Sequence, residues 1–178
     1  TKAPDFKLLD TVTGKPYDLK ETKNSKATVI MFICNHCPYV KHVILELVKL
    51  AKDYQSKGIA FIAINANDAI AYPEDAPKKM TQLAKQLGFS FPYLYDETQS
   101  IAKAYQAACT PDFFIFNKNL LCVSRGQLDG SRPGNKIPVT TKQQWPPARA
   151  EKPRVKYLPR LLNQSSLRLP GVRGITGS

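Results

Sequence analysis

The sequence predicts an α/β domain: a central mixed β-sheet flanked by helices on both faces. Two observations carry this. Short continuous apolar runs alternate with segments whose apolar residues recur every three to four positions, the signature of strands alternating with covering helices. The last two strands also follow each other across a short turn, which predicts an antiparallel edge on an otherwise mostly parallel sheet.

The elements follow in order. Residues 1–25 read as an irregular opening, with Thr13-Gly14-Lys15-Pro16 as a turn between two short extended stretches. Ala27–Ile33 (ATVIMFI) is apolar, β-branched and free of breakers, so it predicts a buried strand. After Cys34-Asn35-His36-Cys37-Pro38 the period changes. Val40, Val43, Ile44, Leu47, Ala51 and Tyr54 mark one face of a helix that Gly58 stops. Ile59–Ile64 predicts a second buried strand, and Asn65–Asp75 a polar loop. Lys78–Leu87 predicts a helix closed by Gly88. Phe91–Tyr95 predicts a strand, and Ser100–Ala108 a short helix. Thr110-Pro111 leads into the strand Phe113–Phe116, and Asn117–Asn119 turns into Leu120–Ser124.

Composition narrows the classes. With 178 residues, 43% of them hydrophobic, the chain can bury an ordinary core without disulfide staples. Its longest apolar run is far below the ~20 residues of a membrane-spanning helix. The formal charge of +12 is uneven. Residues 142–178 hold eight basic residues and one acid, against eighteen and thirteen in residues 1–141. The body therefore gives no reason to invoke nucleic acid or membrane as a partner. The expected organisation is a domain over 1–141 and a basic, Pro-rich tail over 142–178. Charge, proline content and loss of period change together there. A shifted reading frame or an appended cloning sequence is the favoured explanation; a basic arm for nucleic acid or anionic membrane is the alternative. No targeting signal is visible and the chain opens on Thr1, so cytoplasm is the default expectation and periplasm the alternative.

Cys34 and Cys37 dominate the chemistry. Two thiols at this spacing, between a strand and a helix, predict a redox pair. Unpaired N–H groups and partial positive charge at a helix N-terminus stabilise a thiolate. Cys34 is expected there, exposed and nucleophilic, with Cys37 one turn on, more buried, and able to close the disulfide. His36 can add positive charge or a hydrogen bond, tilting the pair toward the less reducing side. Pro38 suits a first helical turn because its missing N–H needs no partner there. Two readings compete: inert structural thiols, and a zinc or copper(I) site on Cys34, Cys37 and His42 with His36 nearby. No second ligand pair has zinc spacing, since Cys109 and Cys122 lie thirteen apart, so no metal is expected.

Thr110-Pro111 is the second feature. A cis-proline opening a strand would leave a free backbone edge for an extended substrate segment. Cys109 beside it is either an extra thiol near the site or, preferentially, a small packed hydrophobe. Cys122 is expected in the core and His42 on a solvated helix face; Arg125 could orient an anion or peroxide oxygen, but a surface position is the expectation.

The strand–CxxC–helix arrangement, with Thr-Pro about 75 residues later, resembles the thioredoxin superfamily. Ala3-Pro4-Asp5-Phe6, Asn67-Asp68, Tyr72-Pro73-Glu74-Asp75, Ala108-Cys109-Thr110-Pro111-Asp112-Phe113-Phe114 and Arg125-Gly126-Gln127-Leu128-Asp129 are similar to the alkyl hydroperoxide reductase/thiol-specific antioxidant group within it. The resemblance covers about residues 3–139. It implies a thioredoxin fold, Cys34 as attacking thiol, Cys37 as resolving thiol and Pro111 as a cis-proline facing them; Thr110, Pro38 and Cys109 are the candidate substrate-side residues. Departures are informative. Thioredoxins proper carry Trp before the first Cys and a buried acid six residues before it; here stand Ile33 and Thr28. The proton acceptor for Cys37 is therefore open among Asp112, Glu97 and His36. Peroxiredoxins carry Pro and Thr seven and three residues before their reactive Cys; here stand Ala27 and Met31, which favours disulfide exchange over peroxide reduction. The expected function is thiol-disulfide oxidoreduction, with peroxidase and metal-delivery alternatives. No cofactor is expected. The expected partners are a disulfide-containing protein or small molecule and a thiol electron donor or acceptor protein.

Overall fold

Alternation along the central strands decides how the layers form. In the computed structural model, strand β3 (Ala27–Phe32) sends Val29 and Met31 to one face of the sheet and Ile30 and Phe32 to the other. A strand buried on both faces needs cover on both sides. The structure describes residues 1–128, 131–135 and 139; the tail expected at 142–178 lies outside them.

The remaining elements are β1 (Lys7–Asp10), β2 (Pro16–Asp18), α1 (Pro38–Gln55), β4 (Ile59–Asn65), α2 (Pro77–Leu87), β5 (Tyr93–Tyr95), α3 (Ser100–Ala104), β6 (Asp112–Asn117) and β7 (Cys122–Gly126). Among the described residues the strands form one seven-stranded sheet in the order β2-β1-β5-β4-β3-β6-β7. Helices α1 and α2 cover one face through Val40, Val43, Leu47, Ala51, Met80 and Ala84. The other face is closed by Ala3, Phe6, Leu19, Ile101 and Tyr105 over Ile30, Ile62, Leu94, Phe114 and Phe116. No described helix is long and apolar enough to cross a membrane.

Three expectations need correction. The sheet is mixed, but only β3–β4 and β4–β5 pair in parallel; the other four pairs are antiparallel. In the opening segment the turn between two short extended stretches is found, as a hairpin, but the segment is not irregular: its strand β1 docks on β5, which a local pattern cannot reveal. Helix α3 stops at Ala104, well short of Ala108. Tyr105 is buried among Phe6, Phe32, Phe114 and Phe116, its hydroxyl donates to the Pro4 carbonyl (2.8 Å), and Gln106 leaves the helix with φ 54°.

Candidate active site

The parallel centre of the sheet places the cysteines. Beyond β3, the Ile33 N–H still bonds the Ile64 carbonyl (3.0 Å), and the chain then leaves the sheet through Cys34-Asn35-His36-Cys37. Cys37 caps α1, with Pro38 in the first turn and the Lys41 N–H on the Cys37 carbonyl (3.0 Å). Strand β6 runs antiparallel to β3, so the residues just before β6 return to the same end of the sheet. Thr110 thereby meets both thiols. Its hydroxyl lies 3.1 Å from Cys34 Sγ, and its carbonyl accepts from the Cys37 thiol at 3.4 Å. The Thr110–Pro111 peptide is cis.

The exposures of the two thiols are the reverse of expectation. Cys34 is 1% exposed, whereas Cys37 is half-buried. Burial pushes the Cys34 thiol up, and the charges of Asp75 and Cys37 push the same way. The Thr110 hydroxyl and the Cys37 N–H pull it down without reversing the effect. Desolvation thus outweighs these two hydrogen bonds in the resting dithiol.

A polar network backs Cys34. Asp75, in a 3₁₀ turn (Pro73–Asp75) before α2, is fully buried. Its carboxylate accepts from the Asn35 N–H (2.6 Å), Asn67 Nδ2 (3.0 Å) and Asn65 Nδ2 (3.2 Å), and is joined to His36 Nδ1 by a short hydrogen bond. Burial alone would raise this carboxyl, but the four contacts outweigh it and hold the group below the usual carboxylate range. Tyr93 donates to the Asn35 side chain (2.9 Å), and Asn35 Nδ2 donates to the Glu74 carbonyl (2.8 Å). The His36 ring stacks on Tyr72 with centroids 4.3 Å apart. Cys34 Sγ, a His36 ring nitrogen and an Asp75 oxygen lie within 4.8 Å of one another.

Other candidates separate from this centre. His42 lies on α1 hydrogen-bonded to the Ser131 hydroxyl, away from the ligand set proposed from sequence. Glu97 is exposed beyond β5. Asp112 is buried and bonded to Arg125 (2.9 Å), whose guanidinium also donates to the Gln106 carbonyl and lies over the Phe114 ring. Arg125 is therefore a packed, paired residue rather than a free surface cation. Cys109 is exposed, against the packed reading, and Cys122 is half-buried on β7. Pro38 is exposed at the helix start. A groove of about 270 Å³ opens beside Thr110, lined also by Tyr39, Val43, Cys109, Pro111 and Leu128.

Sequence reasoning missed Asp75, Asn65, Asn67 and Tyr93 as partners of the site. The available signal was two amides, Asn65 and Asn67, ending a wholly apolar strand.

Comparison with known proteins identifies the family. The AhpC/TSA family matches residues 1–123. The chain belongs to the AhpC/TSA family. Among this family member's relatives is the thiol-disulfide oxidoreductase ResA of Halalkalibacterium halodurans, 25% identical over 112 residues, covering 63% of this chain and 59% of the relative. The chain spans about three fifths of the length of the curated relatives it matches. An uncharacterized conserved protein from Geobacillus kaustophilus is 60% identical, with a TM-score of 0.78 over 80% of this chain and 75% of that one. A thioredoxin family thiol:disulfide interchange protein from Chlorobium tepidum TLS has a TM-score of 0.59 at 20% identity, covering 70% of this chain and 83% of that one. That last likeness bears on the fold, which is thioredoxin-like.

Proposed function

We propose that the protein is a thiol-disulfide oxidoreductase that works without a cofactor. The observation that carries the reading is the convergence of both thiols on Thr110: Cys34 on its hydroxyl and Cys37 on its carbonyl. The ResA relatives support the same chemistry.

Cys34 is the attacking thiol, because its sulfur has the Thr110 hydroxyl and the Cys37 N–H to stabilise a thiolate. The thiolate attacks a substrate disulfide. One Cys34–substrate S–S bond forms, the substrate S–S bond breaks, and the released thiolate takes up a proton. Cys37 then loses its proton and attacks Cys34 Sγ, which closes the Cys34–Cys37 disulfide and frees the second substrate thiolate. Two electrons pass from the dithiol to the substrate, and the reverse sequence oxidises a dithiol. Thr110, Pro111, Cys109 and Pro38 border the side from which a substrate would approach. A disulfide-bearing protein or small molecule and a thiol donor or acceptor protein are the partners this chemistry requires. Peroxide reduction at Cys34 is the less favoured reading: fully buried Met31 stands where peroxiredoxins carry Thr, and Arg125 is bound to Asp112.

Trapping tests the proposal. With a disulfide-bonded peptide, Cys37→Ser accumulates a mixed disulfide on Cys34, located by mass spectrometry, whereas Cys34→Ser accumulates none. Trapping by Cys34→Ser alone would reverse the roles of the two thiols. Trapping by neither variant would overturn disulfide exchange.

A further inference from the structure

Three features lie outside the exchange step: the groove with exposed Cys109, the buried Asp112–Arg125 pair, and the Asp75 network beside Cys34. The groove borders the substrate side already described, and Arg125 already neutralises Asp112. The Asp75 network sets an imidazole and a carboxylate against a thiol.

We propose that the reduced protein binds one zinc ion on Cys34 Sγ, a ring nitrogen of His36 and a carboxylate oxygen of Asp75, with a fourth position open to water. Three observations carry the site. First, the three donor atoms lie within 4.8 Å of one another. Zinc holds its ligands at about 2.0–2.3 Å, which in a tetrahedron sets them about 3.3–3.8 Å apart. The widest pair therefore closes by about 1 Å at most. The ion takes the place of the hydrogen that joins His36 to Asp75.

Second, the ligands are already backed by neutral donors. Asp75 Oδ1 accepts from the Asn35 N–H (2.6 Å) and Asn65 Nδ2 (3.2 Å), which leaves Oδ2 on the His36 side. Asn67 Nδ2 lies 3.0 Å from Oδ2 and 3.4 Å from His36 Nδ1, so one amide borders both ligands. Such outer partners fix the orientation of metal ligands. The Thr110 hydroxyl, 3.1 Å from Cys34 Sγ, can donate to a metal-bound sulfur in the same way. Third, the site is dry yet reachable. Cys34 and Asp75 are 1% and 0% exposed, whereas the His36 side chain is 31% exposed and gives the ion its entry.

The donor set selects the metal. One thiolate, one imidazole and one carboxylate suit zinc(II); magnesium and calcium select oxygens, and copper(I) selects sulfur. The expectation of no metal rested on the spacing of cysteines and histidines. The third ligand is a carboxylate that folding brings in from the turn before α2.

Binding balances simply. The Cys34 thiol proton goes to solvent, the sulfur–zinc bond forms, and the ring hydrogen of His36 sits on the nitrogen that does not bind. No electrons move. Burial opposes a bare thiolate at Cys34, and a bound cation removes that opposition. The charge that the sulfur needs to attack a disulfide is then shared with the ion, so zinc and substrate compete for Cys34. That consequence rests on the exchange reading above; the site itself does not.

The test titrates zinc into reduced full-length protein carrying Cys109→Ser and Cys122→Ser, without oxygen, against a chromophoric chelator. One zinc per chain is expected. Cys34→Ser is expected to abolish binding, and His36→Asn and Asp75→Asn each to weaken it about tenfold or more. Cys37→Ser is expected to leave it nearly unchanged. Cobalt(II) in place of zinc is expected to show a thiolate charge-transfer band that Cys34→Ser removes. No zinc bound at micromolar concentration overturns the proposal. So does binding that Cys37→Ser loses while His36→Asn and Asp75→Asn keep it, which marks a simple dithiol chelate. If Asp75→Asn fails to fold, His36→Asn decides: an unchanged zinc affinity overturns the site. These readouts involve no disulfide substrate, so they fail or succeed independently of disulfide exchange.

Discussion

Asp75 and Asp112 are both buried carboxylates close to the thiol pair, yet their environments drive them in opposite directions. Asp75 accepts from four groups, three of them neutral amides, and is held below the usual carboxylate range. Asp112 faces a full positive charge on Arg125 and accepts from the Ala108 N–H at a long 3.4 Å, yet burial pushes its carboxyl up. At Asp75 the ring of short donors outweighs desolvation, whereas at Asp112 desolvation outweighs Arg125 and the backbone amides. The two groups are suited to different roles as a result. A permanent charge can orient a histidine, and a carboxyl that accepts a proton can stay in the sheet.

Removing the better-satisfied group has the largest effect. Asp75→Ala leaves the Asn35 N–H and the Asn65 and Asn67 amides without their acceptor, and is expected to cost about 3–5 kcal/mol in denaturant unfolding. Arg125→Met comes next. It strands Asp112, but Asp112 can protonate, so the expected loss is about 1–3 kcal/mol. A loss as large as that of Asp75→Ala would break the comparison. The smallest effect is on pH dependence. In the native state Asp75 binds its proton less tightly than in the unfolded chain, so its contribution is present above the unfolded value of about 3.9 and is lost as pH falls through the folded value. Asp112 behaves oppositely: its contribution is present below that unfolded value and is lost as pH rises through its raised folded value. Unfolding followed across this range is expected to show that Asp112→Asn removes a fall in stability with rising pH. An unchanged slope would contradict the assigned direction.

The same contrast explains which features were readable in the sequence. Strands β3 and β4 and helix α1 were readable because burial writes a local period into apolar residues. Thr110-Pro111 was readable because proline opening a strand is locally odd. Sheet polarity was not, since nothing near Lys7–Asp10 says that it pairs with β5. The exposures of Cys34 and Cys37 were misjudged because Thr110, 76 positions away from Cys34, helps close over it. Beyond the amides Asn65 and Asn67 at the end of β4, the Asp75 network left no local signal, for the same reason. Its contacts to Asn35 and His36 span 40 and 39 positions.

The most direct test of the account is a glutathione redox titration of the wild-type protein, read by alkylation and mass spectrometry. The account predicts a reversible disulfide joining Cys34 to Cys37, with a potential between about −270 and −120 mV. A pair that stays reduced across that range, or a disulfide that joins Cys37 to Cys109 instead, would contradict it.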